Sequence, residues 1–168
     1  METSPASLSL EAAIGSVGLE ATGAGLRRVR LPGNGEAGHE AGGDERAAAN
    51  AEHAARQLGE YLRGTREAFQ ILLDWSRVEE SHRRVLETLC EIAPFGTTVT
   101  YGELGERAGV DDPRDIGAMM ARNPLPLVVP CHRVVAADGL GGYGGGIELK
   151  RTLLELEGVL PARLDLDL

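Results

Sequence analysis

The chain has 168 residues, with 26 acidic against 17 basic side chains and a formal net charge of −9. That is long enough to bury a core without a metal or disulfide staple. The acidic balance argues against a protein that coats nucleic acid through bulk electrostatics, because non-specific DNA affinity comes from neutralising phosphates with Lys and Arg. Two cysteines, Cys90 and Cys131, are too few for a disulfide framework. Apolar runs such as 125–130 are far too short to span a bilayer, and no charged-then-apolar leader is visible, so a cytoplasmic protein with no membrane partner is expected.

In chain order, residues 1–11 are polar and unpatterned and predict a frayed end. Val17, Leu19 and Ala21 alternate before a turn-like TGAG, and Leu26, Val29 and Leu31 follow it, which predicts a hairpin. The Gly- and acid-rich stretch 32–45 has no apolar period and reads as a flexible loop. Residues 46–63 are strong helix formers, with Ala54, Leu58 and Tyr61 on one face and Gly64 as the stop. Phe69–Leu73 reads as one more strand. A helix over 75–92 follows, with Val78, Val85, Leu86, Leu89, Cys90 and Ile92 as its buried stripe.

Thr100 and Glu103 form a capping-box pattern that starts a short helix over 101–108. Asp112 caps a second, with Pro113 at its first position. Two short helices about four residues apart make a helix-turn-helix candidate, although many such hairpins bind nothing. Pro124 then forces the chain out of the helix, and LPLVVP reads as a buried extended segment leading into Cys131, His132 and Arg133. After a Gly-rich turn, 147–158 closes with a helix whose Leu149, Leu153 and Leu156 face inward and whose stop is Gly158. Although the total charge is acidic, 113–135 carries Arg114, Arg122 and Arg133 against only Asp115, and distribution matters more than the sum.

The chemistry converges on Cys131. A thiolate is soft and strongly nucleophilic, and this cysteine sits between a proline-ended apolar segment and His132. Neighbouring residues in extended chain point opposite ways, so direct Cys131–His132 contact needs a turn or a bridging water. Local chemistry alone leaves three readings open: an alkyl acceptor, a cysteine hydrolase, since Cys and His also serve acyl transfer, or a cysteine that is merely a buried small hydrophobe. It also leaves His132 open between a base and a structural hydrogen-bonder. The spacing contains no zinc ligand pattern, and neither a metal nor a cofactor is expected.

The stretch PCHRV at 130–134 resembles the active-site signature of the O6-alkylguanine-DNA alkyltransferase family. TVTYGELGERAG, ARNPLPLVVPCHRVVAADG, GGYGGG and ELKRTLLELEG occur in that family's order at near-family spacing, and DW followed by RRVLETL resembles its upstream region. The likeness is dense over 71–158 and looser over IGSVGLEATGAGLRRVRL. It implies a small α/β N-terminal domain, a three-stranded sheet with a helix, over 1–72. A mainly α C-terminal domain with a winged helix-turn-helix would follow over 73–160, with a tail over 161–168.

The resemblance further implies irreversible, one-per-molecule transfer of an alkyl group from O6-alkylguanine, and also O4-alkylthymine, in duplex DNA to Cys131 after base flipping. His132 would deprotonate Cys131 through a water, with Glu157 orienting the imidazole. Asn123 would tie the helix-turn-helix to the active-site segment, and Tyr101 would donate to guanine N3. The carbonyls of Cys131 and Val134 would accept from the guanine amino group, the Gly144 N–H would donate to O6, and Tyr143 would wall the pocket. Arg114 would enter the duplex from the minor groove in place of the flipped nucleotide, with Gly117, Ala118 and Ala121 permitting close approach.

Arg122 and Arg133 are assigned phosphate contacts, with an internal salt bridge as the other reading for Arg133. Lys150 lies near the site by resemblance but on a solvent-facing helix position by pattern alone. The protein is expected to act as a monomer and to associate with the nucleoid when bound. Four features depart from the family pattern: Ser81 and His82 in place of a Phe, Asp115 beside Arg114, a 133–142 loop one residue short, and the stretch 32–45.

Overall fold

A computed structural model describes residues 4–34 and 43–163. The expected loop over 32–45 and tail over 161–168 therefore lie largely outside the described residues. Three antiparallel strands, β1 (Ala6–Ala12), β2 (Gly15–Thr22) and β3 (Gly25–Arg30), form a sheet in that order, with Leu8 opposite Leu19 and Leu19 opposite Val29. The hairpin is as expected, but the third strand is not. It is β1, where a frayed end was expected; ASLSLEA alternates apolar and polar with period two, which suits a sheet with one buried face. Phe69–Leu73 is not a strand. Its end meets β3 through a single bridge, Leu26 to Leu73, with Leu26 N donating to Leu72 O at 2.8 Å. Gly25 permits that approach, since its φ is +146° and a Cβ there would stand 2.4 Å from the Leu72 carbonyl oxygen.

Helix α1 (Glu45–Leu62) starts where Asp44 accepts from Ala47 N at 2.8 Å and ends before Gly64. It lies on β1 and β2, and its Ala54, Leu58 and Tyr61 are fully buried. Helix α2 (Glu80–Ile92) begins five residues later than expected. Asp74 accepts from Ser76 N, and Val78 N donates to Trp75 O, so Trp75–Val78 is a turn. On α2 the buried residues are Val85, Leu86 and Leu89, whereas Cys90 is exposed. One residue is 100° of helix, and that step carries Cys90 off the stripe.

A two-stranded parallel ribbon, β4 (Val99–Thr100) with β5 (Val134–Val135), flanks two short helices, α3 (Tyr101–Ala108) and α4 (Pro113–Ala121). Both helices start on the expected caps, Thr100 accepting from Glu103 N and Asp112 from Arg114 N. Gly105 lets the turn fold back on α3, because a Cβ there would come within 2.7 Å of the Val110 carbonyl oxygen. His82, a departure from the family pattern, holds α2 to α4 through a 2.8 Å hydrogen bond to the Met119 carbonyl oxygen.

The segment 124–130 is buried but not extended. It doubles back, with a bridge between Pro126 and Val129 and Leu127 at φ +74°. A left-handed leucine costs roughly 1–3 kcal/mol, and burial of the Leu127 side chain offsets that strain. Cys131–Arg133 is a single 3-10 turn. Helix α5 (Ile147–Leu156) buries Lys150, Leu153 and Leu154, and Leu149 and Leu156 are only half-buried. One continuous core joins the sheet and α1 to α2–α5, running through Val17, Leu58, Leu86, Leu104 and Leu153.

Candidate active site

The 3-10 turn resolves the neighbour problem at Cys131 and His132. A turn of about three residues separates consecutive side chains by roughly 120°, so Cys131 faces a cavity while His132 points into the interior. The cavity, about 380 Å³, is lined by Tyr101, Gly117, Met120, Ala121, Cys131, Gly142, Tyr143 and Gly144. A wider groove of about 560 Å³ joins it at Met120, Ala121, Cys131, Tyr143 and Gly144 and runs between β3 and the end of α4, past Arg28, Arg30, Arg77 and Arg122. The chemistry belongs to the smaller hollow, which Tyr101 and α4 close over the cysteine.

Behind the cysteine lies a buried proton network. His132 Nε2 is 2.6 Å from Glu157 Oε2, and the same oxygen accepts from Tyr61 OH at 2.5 Å and Arg133 Nη2 at 3.0 Å. Glu157 Oε1 accepts from Arg133 Nε at 2.7 Å and from Gly96 N at 3.3 Å. Burial alone would raise the Glu157 pKa, but the hydrogen bonds from His132 and Arg133 overcome it and hold the group at about 2. Glu157 is thus a carboxylate at neutral pH and only accepts. His132 must then carry its proton on Nε2, which leaves Nδ1 as the lone-pair nitrogen. That Nδ1 is buried and has no hydrogen-bond partner among the described residues.

Burial pushes the His132 pKa below its ordinary value, against the pull of Glu157, so the ring rests as a neutral base. Burial also pushes the Cys131 thiol up, opposed by the Asn123 side chain and the Lys150 charge. The site thus holds a buried thiol next to a neutral imidazole whose Nδ1 has no hydrogen-bond partner among the described residues.

Other expected residues brace the site. Asn123 donates to Val129 O at 3.0 Å and accepts from Leu125 N at 2.9 Å, so it pins the doubled-back segment to the end of α4. Lys150 is fully buried rather than solvent-facing, and its ammonium donates to the carbonyls of Val134 at 2.6 Å, Leu140 at 2.5 Å and Gly142 at 3.0 Å. Burial lowers its pKa to about 8. The Val134 carbonyl therefore already accepts from Lys150. Tyr101 lines the cavity with its hydroxyl 3.5 Å from Gly142 O, and Tyr143, also in the lining, has a buried hydroxyl with no partner among the described residues.

Arg133 is a correction. It is 6% exposed, grips Glu157 through two nitrogens and donates to Ala93 O at 2.8 Å, so it is an internal clamp and not a phosphate contact. Gly117 and Ala121 line the cavity, Arg122, just past the end of α4, lines the wider groove, and Ala118 is exposed. Arg114 is not among the residues that line the cysteine cavity, although it stands one turn before Gly117, which is. Its side chain is 91% exposed and rests on Asp112 at 3.0 Å, a pairing that is cheap to release in water.

Sequence reasoning missed Tyr61, Met120, Gly142 and Gly96. Tyr61 read as one more core residue of α1; a hydroxyl on a mainly apolar helix face needs a buried partner, and that was the available signal. Met120 stands one turn after buried Ile116 on α4, a spacing that marks the inner face.

A sequence profile described as "6-O-methylguanine DNA methyltransferase, DNA binding domain" matches residues 80–159. A methylated-DNA–protein-cysteine methyltransferase of Methanopyrus kandleri is 50% identical over 108 residues, which is 64% of this chain and 81% of that one. One from Mycolicibacterium paratuberculosis is 47% identical over 106 residues, covering 62% of this chain and 63% of that one. In fold, the chain is similar to Mycobacterium tuberculosis OGT solved in complex with DNA, with TM-score 0.78 and 35% identity over 93% of this chain and 95% of that one. It is also similar to the O6-methylguanine-DNA methyltransferase of Pyrococcus kodakaraensis, with TM-score 0.60 and 26% identity over 93% of this chain and all of that one. The small sheet-and-helix unit followed by a mainly helical unit with a winged helix-turn-helix is common to this chain and these structures.

Proposed function

The chain belongs to the methylated-DNA–protein-cysteine methyltransferase family and repairs alkylated DNA directly by alkyl transfer to a cysteine; from this premise we propose that Cys131 is the acceptor and that the buried network behind it is the proton relay. The observation that carries the assignment is the cavity-facing thiol next to a neutral, Glu157-anchored imidazole whose Nδ1 has no hydrogen-bond partner among the described residues.

The Cys131 proton passes through a water to His132 Nδ1, and Glu157 stabilises the imidazolium so formed. The thiolate attacks the alkyl carbon, the S–C bond forms as the C–O6 bond breaks, and the electron pair leaves on guanine O6. Tyr101 donates to N3 as that charge spreads through the ring, and the Gly144 N–H donates to O6. The carbonyls of Cys131 and Val134 select the guanine amino group, and Tyr143 walls the pocket. O4-alkylthymine presents the same reacting bond on a smaller base, so it is a second substrate. The thioether is stable, and Cys90 lies outside the cavity, so the chain is consumed after one transfer.

A thiolate on this cavity floor cannot reach O6 of a stacked base, so the nucleotide must leave the helix. Residues 73–160 would bind the duplex in its minor groove as a monomer. Gly117, Ala118 and Ala121 give α4 a small-residue face, Arg122 contacts phosphate, and Arg114 leaves Asp112 to fill the gap in the duplex. The relative solved with DNA supports a duplex partner. Residues 1–72 would support the site from behind. The setting is the cytoplasm, at the nucleoid when bound.

The test is stoichiometry: with excess duplex containing O6-methylguanine, repaired lesions should plateau at one per chain. Continued turnover, or ester hydrolysis that DNA does not compete with, would return the cysteine hydrolase reading.

A further inference from the structure

Glu157 Oε2 is shared by three donors, and one of them comes from outside the stretch that the family profile matches. Tyr61 sits at the end of α1, in the N-terminal unit. Its side chain is fully buried, its ring packs against Phe69 at 5.4 Å and Phe95 at 6.3 Å, and its hydroxyl reaches the centre of the relay. The hydroxyl donates to Glu157 Oε2 at 2.5 Å, and its oxygen lies 3.3 Å from His132 Nε2.

With its own hydrogen committed to the carboxylate, the phenol can only accept from Nε2–H. Carboxylate and phenol together present two acceptors to one N–H, which fixes both the tautomer and the ring plane and leaves Nδ1 as the lone-pair nitrogen. Burial first, and then the Glu157 charge, push the phenol pKa up, so Tyr61 stays a donor throughout the working range.

We propose that Tyr61 is a positioning residue for alkyl transfer: its hydroxyl, held by α1, partly neutralises Glu157 and cradles the Nε2–H of His132, and so sets the basicity of the imidazole. The inference rests on the proposed role of His132 as the base. It gives the N-terminal unit a share in the chemistry of a cysteine it does not carry. The sign follows from the charges. The phenol oxygen's acceptance from Nε2–H at 3.3 Å favours the imidazolium, but the 2.5 Å bond to Glu157 is much the shorter and outweighs it, so without the hydroxyl Glu157 acts on His132 with less of its charge neutralised and His132 protonates at higher pH. A hydrogen bond to a charged group is worth roughly a tenfold change in such an equilibrium, about one pH unit.

The experiment compares full-length native protein with Tyr61→Phe, which keeps the ring and its aromatic packing. The rate of S-alkylation by free O6-benzylguanine is followed by intact mass from pH 5 to 9, a range chosen to span about 1.5 units below and 2.5 above the usual His value. Duplex affinity and melting temperature are measured alongside. The acid limb of the Tyr61→Phe profile should move up by about one pH unit while duplex affinity holds. Site-specific 3,5-difluorotyrosine at position 61 is a stronger donor and should move the limb down, which keeps the test available if the Phe variant folds poorly. Profiles that superimpose on the native one, or a limb that moves the same way in both variants, overturn the inference. No alkylation of the native chain would instead overturn the reading it rests on.

Discussion

Replacing Arg133 by Met separates the internal clamp from the phosphate contact that the sequence suggested. Methionine keeps the length of the apolar stem and removes the guanidinium. Glu157, with its side chain fully buried, would lose Arg133 Nε at 2.7 Å and Arg133 Nη2 at 3.0 Å, and the Ala93 carbonyl would lose its 2.8 Å donor. Breaking a buried ion pair by removing one partner destabilises by about 3–5 kcal/mol. At roughly 2–4 °C per kcal/mol for a chain of this size, the melting temperature should fall by about 10 °C. A phosphate contact predicts a different signature, a decrease of about one in the slope of log affinity for duplex against log salt. The assay is thermal melting together with a salt titration of duplex affinity. A melting temperature within a degree or two of native, with a flattened salt slope, would refute the clamp and restore Arg133 to the DNA face.

Other substitutions divide the chemistry from recognition. Glu157→Gln should reduce thiolate formation at Cys131 across neutral pH, and an unchanged thiol titration would reject the relay. Arg114→Ala should impair repair of duplex lesions much more than reaction with free O6-benzylguanine; equal losses on both would remove its base-flipping role. Acid stability follows from the same network. The Glu157 pKa is held at about 2 in the folded chain against a usual 4.5, so its stabilisation is complete above pH 4.5 and is lost as pH falls toward 2. His132, whose folded pKa is also depressed, begins to cost stability below its ordinary 6.5. Melting temperature should therefore decline on acidification from pH 7, and Glu157→Gln should flatten the part of that decline below pH 4.5.

The caps, the hairpin and all five helices were legible because each rests on local chemistry, with α2 alone starting five residues late. Asp112 with Pro113, and Thr100 with Glu103, specify helix starts within a few residues. The errors arose where tertiary contacts override local pattern. Phe69–Leu73 has strand composition, yet its end meets β3 through one bridge. The segment 124–130 is apolar enough for a strand, yet Asn123 bonds to Val129 O and Leu125 N and folds it into a turn. The burial of Arg133 depends on a carboxylate and a carbonyl far along the chain, Glu157 and Ala93, and that of Lys150 on the nearer carbonyls of Val134, Leu140 and Gly142, which the folding back of the Gly-rich turn brings to its ammonium. At the site, Cys131, His132 and Glu157 were legible through resemblance. Tyr61 was not, because its hydroxyl finds its partner 96 residues away.

The central claim meets its most direct test in intact-protein mass after incubation with a duplex bearing one O6-methylguanine, followed by peptide mapping, with Cys131→Ser in parallel. The native chain should gain a single methyl group on Cys131, leave exposed Cys90 unmodified and saturate at one per chain, and the Ser variant should gain none. A methyl group on Cys90, or an unmodified native chain that still binds the lesion tightly, would contradict the account.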